Sequence, residues 1–230
     1  MGILDSVEVD DSIEDKDTLG GSYVMNSGVY NMVIEGAHLD VSKGGAKFVK
    51  LHLEDSDGNR LKQDIYFTSK TGKTTFGFNE LNALSVLACG KTLKEVGSET
   101  ASKFVPVYDF NARKDVDVEK EVIVPWIGMP IKAGITHVKE NKNAMGASGQ
   151  YEKTNQMREY NEADKFFRAS DNRTTTEVKE DSPAVFIDKW KAKWDGKVND
   201  KFDPNVKAPV VTGSVEGGGT TPSPDDLFAG

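Results

Sequence analysis

The chain is short of the residues that build stapled, metallated or membrane-bound proteins. Its 230 residues include one cysteine, eight prolines and three histidines. The single thiol, Cys89, forms no internal disulfide and no thiolate metal site alone, so a reducing compartment is expected. Cys89 falls in an apolar helical pattern and reads as a core residue. His38, His52 and His137 lie far apart, with no carboxylate spacing of a metal site or nucleophilic triad; no metal, cofactor or catalytic residue is expected. No window approaches the roughly 18 apolar residues of a membrane span. The opening Met1-Gly2-Ile3-Leu4-Asp5-Ser6 lacks the basic flank and apolar run of a secretory signal. It matches the Gly2/Ser6 spacing of myristoylation, yet acids follow where a second, basic anchor belongs. A cytoplasmic protein without a membrane partner is expected.

What the chain has in excess is negative charge, 37 Asp and Glu against 29 Lys and Arg, a formal −8. Averaged over the whole chain, that balance speaks against nucleic acid, because phosphate contacts need clustered cations. The charge is unevenly placed. Residues 1–20 carry −6 and residues 208–230 carry −3, leaving +1 for residues 21–207. The Gly/Ser/Thr/Pro stretch from Thr212 to Pro224 has linker chemistry with nothing to bury. The expected organisation is an acidic flexible segment at 1–26, one folded domain at 27–200 and a disordered acidic tail at 201–230.

Within the folded part, Gly28 to Val41 reads as a long strand bent at Gly36. Residues 46–54 alternate, with Val49, Leu51 and Leu53 on one face and Phe48, Lys50 and His52 on the other. Asp55-Ser56-Asp57-Gly58-Asn59 turns the chain into a third strand, 60–68, with Leu61 and Ile65 inward and Arg60, Lys62 and Tyr66 outward. A helix is predicted at 78–89, stopped by Gly90. Two apolar runs, 122–127 and 131–138, a polar mobile segment from Lys139 to Gln150, and an extended piece within 156–168 follow. Ser182-Pro183 predicts the start of a last helix ending near Asp195-Gly196. The fold class is therefore mainly β, and the element order is that of a five-stranded OB barrel with an inserted helix and a C-terminal helix.

The outward face of the second and third strands carries the strongest chemical pattern. Aromatic rings interleaved with cations suit single-stranded nucleic acid, since bases stack on rings while ammonium and guanidinium groups follow the phosphates. Phe48, Lys50, His52, Arg60, Lys62 and Tyr66 are the candidates, extended by Lys70 and Lys73 in the next loop and by Trp126, Lys132, Lys139 and Arg158. The opposing reading is a solvated face whose Phe48 and Tyr66 are covered by the C-terminal helix. Ser69-Lys70-Thr71-Gly72-Lys73-Thr74 imitates half of a phosphate loop, but Phe67 stands where that motif needs glycine. Asp115, Asp117 and Glu119 imitate a calcium loop, with Lys120 where glycine is required. Phe186, Trp190 and Trp194, spaced by four on the last helix among Lys189, Lys191 and Lys193, read as packing against the barrel.

The chain ends Asp225-Asp226-Leu227-Phe228-Ala229-Gly230, an apolar pair behind two carboxylates on a tether, the form of a short recognition motif. With this tip and element order, including Gly128-Met129-Pro130-Ile131-Lys132-Ala133-Gly134-Ile135 as a fourth OB strand, the chain resembles bacteriophage single-stranded-DNA-binding proteins. Its tip is similar to that of the bacterial proteins of this kind, with Leu227 in place of their proline. The resemblance implies a non-enzymatic, sequence-tolerant binder of single-stranded DNA in phage replication or recombination, acting in the host cytoplasm. It implies that Asp225, Asp226, Leu227 and Phe228 recruit replication or recombination proteins. A homo-oligomer stays open, as does the alternative of an OB-fold interaction adaptor that binds no nucleic acid.

Overall fold

The computed structural model describes residues 25–109, 111–146 and 151–207. Half of these residues are in strands and a fifth in helices, so the protein is mainly β. Strands β1 (Gly28–Val41), β2 (Lys47–Asp55) and β3 (Arg60–Tyr66) form the expected antiparallel meander. Val49, Leu51, Leu53, Leu61 and Ile65 alternate into the core, where the pleat sends every second side chain. Asp55 sets the β2–β3 turn by accepting the Asp57 and Asn59 amides on Oδ1, each at 2.9 Å, and Gly58 takes the left-handed φ of 80° that follows.

Strand β1 serves two partners on its second edge. Its first half pairs with β6 (Pro130–Met145), from Gly28 opposite Ile135 to Val33 opposite Pro130. Its second half meets β5 (Lys114–Ile123) at His38 and Leu39. The changeover coincides with a register shift between Ile34 and Gly36. There the Ile34 amide donates to the Met129 carbonyl and the Gly128 amide to the Ile34 carbonyl. The long β6 pairs with β7 (Tyr151–Arg168) along its length and, in parallel, with the short β8 (Val198–Asp200).

Helix α1 (Phe76–Cys89) closes the core from the side, burying Leu81, Leu84 and Leu87. Its first turn presses on β3 so closely that a Cβ on Gly77 would lie 2.1 Å from the Tyr66 carbonyl oxygen, and only glycine fits. Gly90 ends the helix in the left-handed conformation. A single-turn helix, α2 (Leu93–Val96), leads into β4 (Thr100–Asp109).

The structure departs from a five-stranded barrel. There are eight strands among the described residues, in one sheet that does not close. Strands β3 and β7 approach through a side chain, the Ala163 amide donating to Gln63 Oε1 at 2.8 Å, without a ladder. The mixed stretch after α1 forms the β4–β5 hairpin, whose β4 pairs, among the described residues, with β5 alone. The segment expected to be mobile from Lys139 continues β6 to Met145.

The last helices also differ. Helix α3 (Thr175–Lys179) precedes α4 (Phe186–Trp194), which begins after Ser182-Pro183. Its leading amides, Val185 and Phe186, donate to the buried Glu177 Oε1 at 2.9 and 2.7 Å, so a carboxylate from α3 replaces the serine cap. Trp190 lies flat over Gly134 of β6, where a Cβ would come within 2.8 Å of the indole. It joins Phe167, Ile187, Val29 and Trp194 in a second small apolar cluster. The aromatic stripe of α4 is packing, as expected, though it packs on β6, β7 and the start of β1 and leaves β2 and β3 uncovered.

Candidate nucleic-acid interface

The register of β2 and β3 decides what the outward face presents. Phe48 stands opposite Tyr66, Lys50 opposite Asp64, His52 opposite Lys62 and Glu54 opposite Arg60. The six strand candidates are thus brought onto one face, in three kinds of pair. Arg60 Nε is held by Glu54 Oε2 at 2.7 Å, and Lys50 Nζ lies 3.5 Å from Asp64 Oδ1. Phe48 and Tyr66 rest ring against ring, centroids 4.9 Å apart and tilted 35°. Phe48 is only 7% exposed, so its ring backs Tyr66 and is not itself an open stacking surface. The half-buried Tyr66 offers that surface.

Three of the cations without carboxylates gather at one end of this face, while Lys62 stands further along, opposite His52. The turn after β3 is built by the Gly72 amide donating to the Ser69 carbonyl, the Ser69 amide to the Lys73 carbonyl, and a bridge between Thr68 and Thr74. It holds Lys70 and Lys73 out in solvent. Gly45 of the β1–β2 turn approaches the Lys70 carbonyl, and the Lys47 amide donates to Thr68 Oγ1. Lys47 therefore joins the loop, a residue that the sequence reading passed over because alternation alone did not bring the two turns together. No ion pair among the described residues involves Lys47, Lys62, Lys70 or Lys73.

Histidines sit at the centre of the sheet. His38 of β1 and His52 of β2 meet edge to face, ring centroids 5.9 Å apart. Burial, and next the Lys62 ammonium, push the His52 imidazole down to about 4. Burial likewise lowers His38, against the opposing pull of Asp40. Both rings are neutral at physiological pH, so His52 supplies no phosphate charge.

Four candidates belong elsewhere. Trp126 is fully buried in the main core, its indole N–H donating to Ser85 Oγ at 3.2 Å, because a short 3₁₀ turn at Val124–Trp126 folds it beneath α1. It touches no ligand surface. Lys132 lies on the part of β6 near α3, where Nζ donates to Asn172 Oδ1 at 2.5 Å. Lys139 and Arg158 lie on the β6–β7 arm and are matched across the ladder, Lys139 Nζ to Glu159 Oε1 at 3.2 Å and Arg158 to Glu140. The Arg158 guanidinium also covers the Tyr160 ring at 4.9 Å. Asp225, Asp226, Leu227 and Phe228 lie outside the described residues.

Among the described residues no cluster of three or more His, Cys, Asp or Glu could hold a metal, and no helix is long and apolar enough to cross a membrane. No known protein-family model matches the chain, and no curated protein compared with it shows significant sequence similarity.

Proposed function

We propose that this protein binds single-stranded DNA without strong sequence preference, through the outward face of β1–β3 and the lysine turn that follows it. The observation that carries the reading is the partly exposed Tyr66 ring, backed by Phe48, with Lys47, Lys70 and Lys73 at its end of the face and Lys62 further along β3 opposite His52, none of these lysines in an ion pair among the described residues. Stacking on a ring beside unneutralised ammonium groups is the chemistry of sequence-tolerant strand binding. An OB-type core is supported by the meander, by α1 between β3 and the later strands, and by the pairing of β1 with β6 and β6 with β7. On this reading the protein serves phage replication or recombination without catalysis of its own, and Asp225, Asp226, Leu227 and Phe228 recruit partner enzymes.

Fluorescence anisotropy with labelled oligo-dT at two salt concentrations tests the reading. Binding should weaken steeply as salt rises, because each neutralised phosphate releases counterions. Absent or salt-independent binding overturns it. It then leaves the adaptor reading, which the exposed Phe104 and Tyr108 of the β4–β5 hairpin favour.

A further inference from the structure

Further along the same face from Tyr66, next to the His52–Lys62 pair, the surface sinks into a cavity of about 260 Å³. His38 and His52 form its floor, Val122 of β5 and Ile127 one wall, and Lys103 and Val105 of β4 the other. The β4 side chains reach it because Lys103 and Val105 share a face with Val122, which stands directly opposite His38. The cavity is therefore continuous with the row His38–Lys50 and the row His52–Lys62 on the candidate DNA surface.

The floor is chemically incomplete. Neither His38 Nε2 nor His52 Nε2 has a hydrogen-bond partner, although His38 is only 3% exposed. A buried polar atom left unpaired is costly, and native proteins rarely tolerate two side by side. We propose that this cavity takes one unstacked nucleobase of the bound DNA strand, its polar edge against the two imidazoles and its ring faces against Val105, Val122 and Ile127. The inference rests on the single-stranded-DNA reading above and names the subsite within it.

A base fits this lining better than other ligands. Each neutral imidazole offers one ring nitrogen as donor and the other as acceptor, which matches the mixed donors and acceptors on a base edge. Uncharged rings attract an anion poorly. A metal would need a third ligand, and none is grouped with the pair. The aliphatic walls suit a π face, and the exposed Lys103 stands at the rim where the flanking phosphate passes. Both Nε2 atoms are sealed from solvent. Seating the base therefore turns the rings about χ2, a soft torsion for imidazole.

The test compares oligo-dT with an abasic oligomer of equal length, using the full chain and two variants. His52→Phe keeps the ring and removes its nitrogens, and Val105→Trp fills the cavity from the partly exposed hairpin without touching the floor. Each should weaken oligo-dT binding about tenfold, the worth of one held base, and leave the abasic oligomer unchanged. In the wild type, the imidazole ¹⁵N resonances of His38 and His52 should shift with oligo-dT and not with the abasic oligomer. Equal weakening of both oligomers, weakening of neither, or unmoved imidazole resonances overturns the base subsite while strand binding stands. Failure of the wild type to bind oligo-dT overturns the strand-binding reading and the subsite with it.

Discussion

The β2–β3 face and the β6–β7 arm are made of nearly the same residues and present opposite surfaces. Each carries alternating cations with a histidine and a tyrosine. On the arm, register places carboxylates against the cations. Glu140 faces Arg158 and Glu159 faces Lys139, and Glu159 also receives His137 at 2.7 Å. On β2–β3 only Lys50 and Arg60 are so matched, while Lys62 faces a neutral histidine and Tyr66 faces an apolar ring. On the arm a one-residue slip would set Lys139 against Arg158 and undo the matching. The two surfaces differ in what stands opposite each cation, which composition does not reveal.

The sharpest way to separate the two regions is acid. His52 takes up its proton in the unfolded chain near 6.5 and in the folded chain only near 4, so stability falls as pH drops through that window. The wild type should lose up to about 3 kcal/mol more than His52→Gln between pH 7 and pH 4, reduced by the solvent that reaches the partly buried ring, read by urea unfolding. Equal losses would remove the buried-imidazole contrast. Next in size, the double charge reversal Lys62→Glu/Lys73→Glu should weaken oligo-dT about a hundredfold and reduce the salt slope by about two. A strand that bound through the arm would ignore it. Tyr66→Ala should cost about 1–3 kcal/mol of DNA affinity, whereas Tyr160→Ala, under its guanidinium cover, should cost none. The smallest effect belongs to Arg158→Ala, with no change in DNA affinity and about 1 kcal/mol or less of thermal stability, as for other ion pairs that water reaches.

Much of the first half of the molecule was legible because it obeys a simple pattern. Val49, Leu51 and Leu53 alternate against Leu61 and Ile65, and the Asp-Gly turn between them fixes the register. Legibility fails where strands lie in solvent on both faces. Residues 114–121 alternate Val116 and Val118 with acids, yet without a buried face they imitated a calcium loop. The stretch from Lys139 to Gln150 is largely polar and reads as a mobile loop, although Asn141 within it is buried. Trp126 misled because a surface aromatic and a core aromatic look alike in a sequence; only the short turn at Val124–Trp126 carries it inward. One signal was present and passed over. Gly134 interrupts an apolar strand, and a glycine there marks a bulky ring overhead, which is Trp190.

The divided pairing of β1 sets the order in which this chain can be completed. Its contacts with β2 are local, but its partners on the other edge, Lys132 and Val122 among them, arrive some 80–100 residues later. As the chain leaves the ribosome, the meander emerges with one side of β1 bare and its apolar residues uncovered. The nucleus must wait for distant sequence, so folding should be slow for a protein of this size. The unfinished meander is also the species most exposed to misassociation. The strand that joins both halves of the sheet is the one that must be kept waiting longest.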